Sequence, residues 1–243
     1  MRRKLLISIS ALALIVVVAG VGSYLYFFSG LHSAPKKLAL ATPSPIATTS
    51  TGTADKSSSL TGDWQVTTGS LAGYRAVEKF VSMTSNHDAV SRTSDVTGKL
   101  ALTESAGNLE ATGVTVTVQL AGLKSVDSVA GFNVANRDRV VGQDLDVTQY
   151  PTATFTSSGT IELPAGVHDG QVVNLTVPGT LSLHGESHQV NATLQAESQD
   201  GQLKVAGSIQ TDMTDYGVQP PQVPFVTVQP DITVEFQLNY VKS

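Results

Sequence analysis

The chain has 243 residues, no cysteine and a formal net charge of −5, so neither disulfides nor thiolate metal centres hold it together. The charge is unevenly spread: residues 1–60 carry six basic residues against one acidic, and residues 61–243 carry nine against nineteen. A segment that acidic lacks the basic footprint that phosphate contact needs, which excludes nucleic acid as a partner.

Residues 1–4 contain Arg2, Arg3 and Lys4, and residues 5–28 follow as an uncharged, mostly apolar run. As a helix, 24 residues span about 36 Å, more than the roughly 30 Å of a bilayer's hydrocarbon core. The basic start stays in the cytoplasm by the positive-inside rule. Tyr24, Tyr26, Phe27 and Phe28 fall where an aromatic belt sits. A cleaved signal peptide is the competing reading, with small residues at 19–23 for cleavage. The length of the run and its aromatic end favour a retained, single-pass signal-anchor helix. Either way, the remainder of the chain lies outside the cytoplasm, and the first reading places the protein in the cell membrane.

Residues 29–60 are rich in Ser, Thr, Ala and Pro and have no apolar period. They read as a disordered linker. The triplets beginning at Asn174 and Asn191 match the N-glycosylation pattern. Both fall on strand faces, and they read as incidental.

From residue 61 to 243 apolar and polar residues alternate one for one in segment after segment, which predicts strands with one buried face. Strands are expected over 63–66, 70–77, 96–102, 114–120, 153–160, 172–184, 188–197, 203–211 and 231–241. Between 127 and 147 the alternation stops, and a short helical connection is expected. Turns are expected at Gly185 with Glu186 and at Asp200 with Gly201. Eight or nine strands at hairpin spacing bury their faces as a sandwich or a closed barrel. The fold class is therefore all-β, an antiparallel β-barrel of about eight strands, whose interior is filled by side chains or holds one ligand.

Catalytic constellations are absent from the sequence pattern. His184 and His188 lack the Glu directly after the first His that a zinc helix needs, and metal binding is not expected. No phosphate loop or nucleophile elbow occurs. The carboxylate pairs Asp144 with Asp146 and Asp212 with Asp215 read as solvated loop charges rather than a glycosidase pair. Arg137, Asp138 and Arg139 form a charged triplet in an otherwise apolar connection, read first as a structural lock and second as a headgroup contact. The chain is expected to be non-enzymatic, with no cofactor.

Several segments carry a family likeness when taken in order: Trp64, residues 70–75, residues 91–98, Asn136 to Asp138, the Tyr150-Pro-Thr-Ala-Thr-Phe155 stretch, residues 179–185 and Asp215 to Gly217. Together they resemble the YceI-like family over essentially all of 61–243. That resemblance implies a lipocalin-like, extended barrel whose elongated apolar pore binds a polyisoprenoid or an isoprenoid-quinone-like lipid. The anchor and linker are similar to those of membrane-attached actinobacterial members. The stretch Leu145 to Val147 departs from the family's usual aromatic before Tyr-Pro.

The interior alternation nominates Val116, Val118, Leu120, Phe132, Phe155, Leu181, Leu183, Val190, Leu194, Ile209, Phe225 and Phe236 as ligand-binding residues. Small residues at inward phase, Ala153, Ala192 and Gly207, favour a partly open interior. The alternative is a filled barrel acting as an extracytoplasmic interaction or stress-related domain, with the Pro-rich loop 214–230 as its contact surface.

Overall fold

The computed structural model describes residues 33–40 and 59–243. The expected cytoplasmic start, the apolar run 5–28 and much of the expected linker lie outside these residues. Among the described residues no helix is long and apolar enough to cross a membrane.

Among the described residues twelve strands form one antiparallel sheet: β1 Gly62–Val66, β2 Leu71–Phe80, β3 His87–Thr93, β4 Val96–Ser105, β5 Asn108–Gln119, β6 Lys124–Ser125, β7 Thr152–Ser157, β8 Ile161–Leu163, β9 Val173–Leu183, β10 Glu186–Gln199, β11 Gln202–Asp212 and β12 Val226–Lys242. Their order is β1-β4-β5-β7-β9-β10-β11-β12, and β12 pairs back to β1. The sheet therefore closes on itself as an eight-stranded antiparallel barrel, as the alternation predicts. Closure removes the free edges that an open sheet of this length would leave.

The 17-residue β12 serves two partners. Its C-terminal end pairs with β1, Trp64 opposite Lys242, and its N-terminal part pairs with β2, Phe80 opposite Val226. β2, β3 and β6 thus extend the wall beyond the closed part of the barrel. One short helix, α1 Ala135–Asp144, follows β6.

β3, β6 and β8 carry no alternation signal, and each for a reason in the fold. The inward positions of β3 include the polar His87, Ser91 and Thr93, all buried, while on its outer face the apolar Val90 is buried between the half-buried Asp88 and Arg92. β6 and β8 are two and three residues long. The first expected turn is displaced by one residue. His184 and Gly185 both have positive φ, 51° and 83°, the type I′ geometry that matches strand twist. Asp200 and Gly201 repeat it at 52° and 72°.

One end of the barrel, the end at Trp64 and Tyr240, is sealed. Trp64 (1 % exposed), Leu102, Leu109 and Tyr240 pack there with Val167, which is fully buried on a short turn after β8. The Trp64 indole N–H donates to the Leu60 carbonyl at 2.9 Å. The opposite end carries α1, the β2–β3 loop and the loop 217–225.

Residues 33–40, expected to belong to the flexible linker, run instead along the outer face of β2 and β3. Ser33 exchanges two backbone hydrogen bonds with Ser128, at 3.1 and 2.9 Å. The Arg75 guanidinium donates to the Pro35 carbonyl at 2.9 Å, and that of Arg92 to the Lys36 carbonyl at 2.6 Å. Leu40 is buried. Both arginines are held by Glu235 of β12, itself 1 % exposed, so the sheet presents fixed donors to the passing backbone.

Candidate functional site: a two-lobed apolar lumen

A cavity runs through the barrel in two lobes. The one nearer the sealed end has a volume of about 120 Å³ and the one nearer α1 about 150 Å³. They meet at a waist lined by Ala72, Val118, Ala153, Leu181 and Val234, which border both. Along β12 the lining extends from Val228 to Tyr240. Twelve residue steps at about 3.3 Å make roughly 40 Å of strand, or about 30 Å along the axis at the usual strand tilt. The lumen is long for its bore.

The walls are built by registered apolar rows. Val116 of β5 lies opposite Phe155 of β7, which lies opposite Leu181 of β9. Ala192 of β10 lies opposite Val177 on one side and Ile209 on the other, and Ile209 opposite Val234. Alternation with period two turns every second residue of each strand into the lumen. Alanines at positions 72, 111, 153, 192 and 196 leave space where larger side chains would meet across an eight-stranded barrel.

Of the nominated residues, Val116, Val118, Phe155, Leu181, Leu194, Ile209 and Phe236 border the lobe at the sealed end. Leu120 and Leu183 border the other, together with Val118 and Leu181. Three nominated residues stand apart from the lumen. Val190 sits where β10 has run past its pairing with β11, which begins at Ala192, and packs into the wall. Phe132 and Phe225 form a tilted ring pair at the rim, with centroids 6.1 Å apart, and Phe132 also meets Phe80 edge-on at 5.7 Å. Phe225 is 51 % exposed. Their phase suits an interior position, but both lie on loops, where strand phase does not decide direction.

Lining residues absent from the nominated set include Ala72, Tyr74, Val177, Val234 and Tyr240. Val234 shares phase with Phe236, so the same alternation contains it. Ala72 and Tyr74 become legible only once β2 is known to continue the wall.

The two lobes differ in chemistry. The lobe at the sealed end has no charged lining residue, whereas the other is bordered by Tyr74, Glu78, Arg137, Asp144 and Gln219. Arg137 of α1 grips Glu78 with two bonds, Nε at 3.1 Å and Nη2 at 2.8 Å. Its Nη1 donates to both oxygens of Asp127, at 2.7 and 3.0 Å. Asp127 also meets His87 Nε2 at 2.8 Å and accepts from the Val90 amide at 3.0 Å. Burial pushes the Asp127 carboxyl up, but His87, the Val90 amide and Arg137 outweigh it and hold it at about 2. Glu78 ends above its usual value, because burial exceeds the lowering by Arg137. Asp138 accepts from the Ser125 amide and hydroxyl at 2.9 and 2.7 Å, whereas Arg139 is exposed and bonds Gln143. Two members of the charged triplet thus pin α1 to β6 and β2.

Burial pushes the Tyr74 hydroxyl up to about 12. Ser91, opposite it on β3, opposes that shift, yet the contact falls short of a hydrogen bond. His184 donates through Nδ1–H to the Tyr216 carbonyl at 2.9 Å and packs on Tyr150, and His188 packs on Tyr216. Among the described residues no group of three or more metal-ligating side chains gathers.

The chain is similar in fold to a polyisoprenoid binding domain from Saccharophagus degradans implicated in plant cell wall breakdown. That match has 16 % identity and a TM-score of 0.52, and covers 75 % of this chain and 99 % of the other. It is also similar to BcnA from Burkholderia cenocepacia, at 20 % identity and a TM-score of 0.46, covering 69 % of this chain and 95 % of that one. The YceI protein of Campylobacter jejuni matches at 16 % identity and a TM-score of 0.40, over 61 % and 83 % of the two chains. Comparison with curated proteins finds no match. The family model of the YceI-like domain matches residues 51–240, and the chain belongs to that family.

Proposed function

We propose that the barrel binds one long apolar chain, a polyisoprenoid or similar amphiphile, without catalysis. The observation that carries this reading is the lumen itself: two apolar lobes joined end to end through a waist of small and aliphatic side chains. Each methylene moved from water into such a space contributes about 0.8 kcal/mol, so a multi-isoprene tail is held strongly without any specific polar contact. The tail occupies the lobe at the sealed end and the polar end lies toward Glu78, Arg137 and Gln219. The Saccharophagus domain, described as polyisoprenoid binding, shares the barrel and supports the ligand class. The open interior speaks against the filled-barrel alternative.

We further propose that residues 5–28 anchor the protein in the cell membrane with the barrel outside the cytoplasm. The support is the basic start, the uncharged run and its aromatic end. Native mass spectrometry of the full chain extracted from membranes tests the binding reading. A single bound lipid, released intact on collisional activation, is the expected result. A chain that is always lipid-free, and that shows no melting shift with prenyl quinones or polyprenols, overturns it.

A further inference from the structure

We infer that the rim formed by the β2–β3 loop, residues 126–133 and loop 217–225 rests on the bilayer surface, held there by the docked segment 33–40. The inference builds on the anchoring proposed above.

Most of the large exposed apolar side chains of the described residues gather at this rim. Val81 is 80 % exposed, Phe225 51 %, Val126 47 % and Val223 37 %. They belong to one surface. The Val81 amide donates to the Phe225 carbonyl at 3.1 Å, and Phe225 packs on Phe132. Val129 joins Phe80 and Val226 in the small core beneath, with Phe132 packed against it.

Charge follows the same division. The barrel segment is strongly acidic, yet loops 81–86 and 217–225 contain no charged residue, and 126–133 contains only Asp127, which is buried. Exposed Lys79 and Lys124 flank the rim, and Lys36 and Lys37 are exposed on the docked segment. Asp144, Glu186 and Asp215, exposed at this end, lie on the arc toward β7, β10 and β11, and Asp231 is exposed on β12. An apolar rim whose own loops carry no exposed charge and which lysines flank suits an interface containing acidic headgroups.

The chain's own path supplies the occupant. Ser33 is fixed to Ser128, one residue from Val129 and two from Val126. The apolar run ends at Phe28, five residue steps away, or at most about 18 Å of extended chain. An anchored chain therefore holds this rim close to the membrane. Without the docking of 33–40 the same connection is more than thirty residues long and imposes no orientation.

The absence of cysteine allows single nitroxide labels on the full chain in phosphatidylethanolamine and phosphatidylglycerol vesicles. Labels at Val81→Cys and Phe225→Cys are expected about 5–10 Å below the headgroups, while one at Glu104→Cys, at the sealed end, stays in water. A further label at Ala13→Cys reports the anchor separately. Immersed rim labels support the inference whatever position 13 reads, and aqueous rim labels overturn it even when position 13 is immersed. An aqueous position 13 overturns the anchoring alone. Ser33→Pro removes one of the Ser128 bonds and is expected to return the rim labels to water. Unchanged depth in that variant overturns the role given to 33–40.

Discussion

Arg137 and Asp127 meet at the α1 end of the barrel, with Nη1 placed 2.7 and 3.0 Å from the two carboxylate oxygens. The same guanidinium holds Glu78, so one side chain neutralises two buried acids from different elements. Replacing Arg137 by Met strips Glu78 of its cation and leaves Asp127 with only His87 and the Val90 amide, and a loss of about 3–5 kcal/mol in urea unfolding is expected. Arg137→Lys recovers only part, because an ammonium cannot form two bidentate pairs at once. Amide exchange across 135–144 should rise in both variants, since α1 buries no other side chain.

Acid stability should report Asp127. Its folded pKa, about 2, lies below the ordinary carboxyl value of 3.8. Its contribution is therefore present above pH 4 and lost as pH falls toward 2. After allowance for solvent relaxation it amounts to about 1–2 kcal/mol. Glu78 works in the opposite sense, because its raised pKa makes the charged form costly and acid relieves that cost. Unfolding free energy measured from pH 5 to 2 should fall for the native chain and fall less for Asp127→Asn.

The waist offers a test of lumen continuity. Ala153 borders both lobes and faces Val118 across the β5–β7 pair. Ala153→Phe should block passage between the lobes. Lipid extracted with this variant should be shorter or absent, with about tenfold weaker retention of long polyprenols, a loss of about 1.4 kcal/mol. Retention of the full-length native lipid would refute a continuous channel.

Gly179 and Phe155 make a packing prediction. A Cβ on Gly179 would collide with the Phe155 ring and lie 2.6 Å from the Thr156 carbonyl oxygen. Gly179→Ala is expected to cost about 1–3 kcal/mol by overpacking, read as a lower urea midpoint at unchanged slope. Gly179→Ala combined with Phe155→Leu should recover much of that loss, since the ring is one of the two obstacles.

The barrel class, its polarity and nine of the lining positions (Val116, Val118, Leu120, Phe155, Leu181, Leu183, Leu194, Ile209 and Phe236) were legible from alternation. Period two is a local property, and it assigns each strand residue to a face without knowledge of neighbours. Phe132 and Phe225 were misplaced because loop direction is not periodic. β3 carries no apolar alternation because its inward positions include the polar His87, Ser91 and Thr93 while the outward Val90 is apolar.

By itself, the sequence determined the uncharged run at 5–28, the acidic all-β segment and the apolar character of the inward faces. Those are properties of composition and short-range order. Only the tertiary structure decided which strands close the barrel, that alanines from β2, β5, β7 and β10 coincide to keep the lumen open, and that Arg137 meets Glu78 and Asp127. It also decided that 33–40 lies on the wall rather than free. Each of these joins residues far apart in the chain, and strand register, which no local pattern encodes, brings them together.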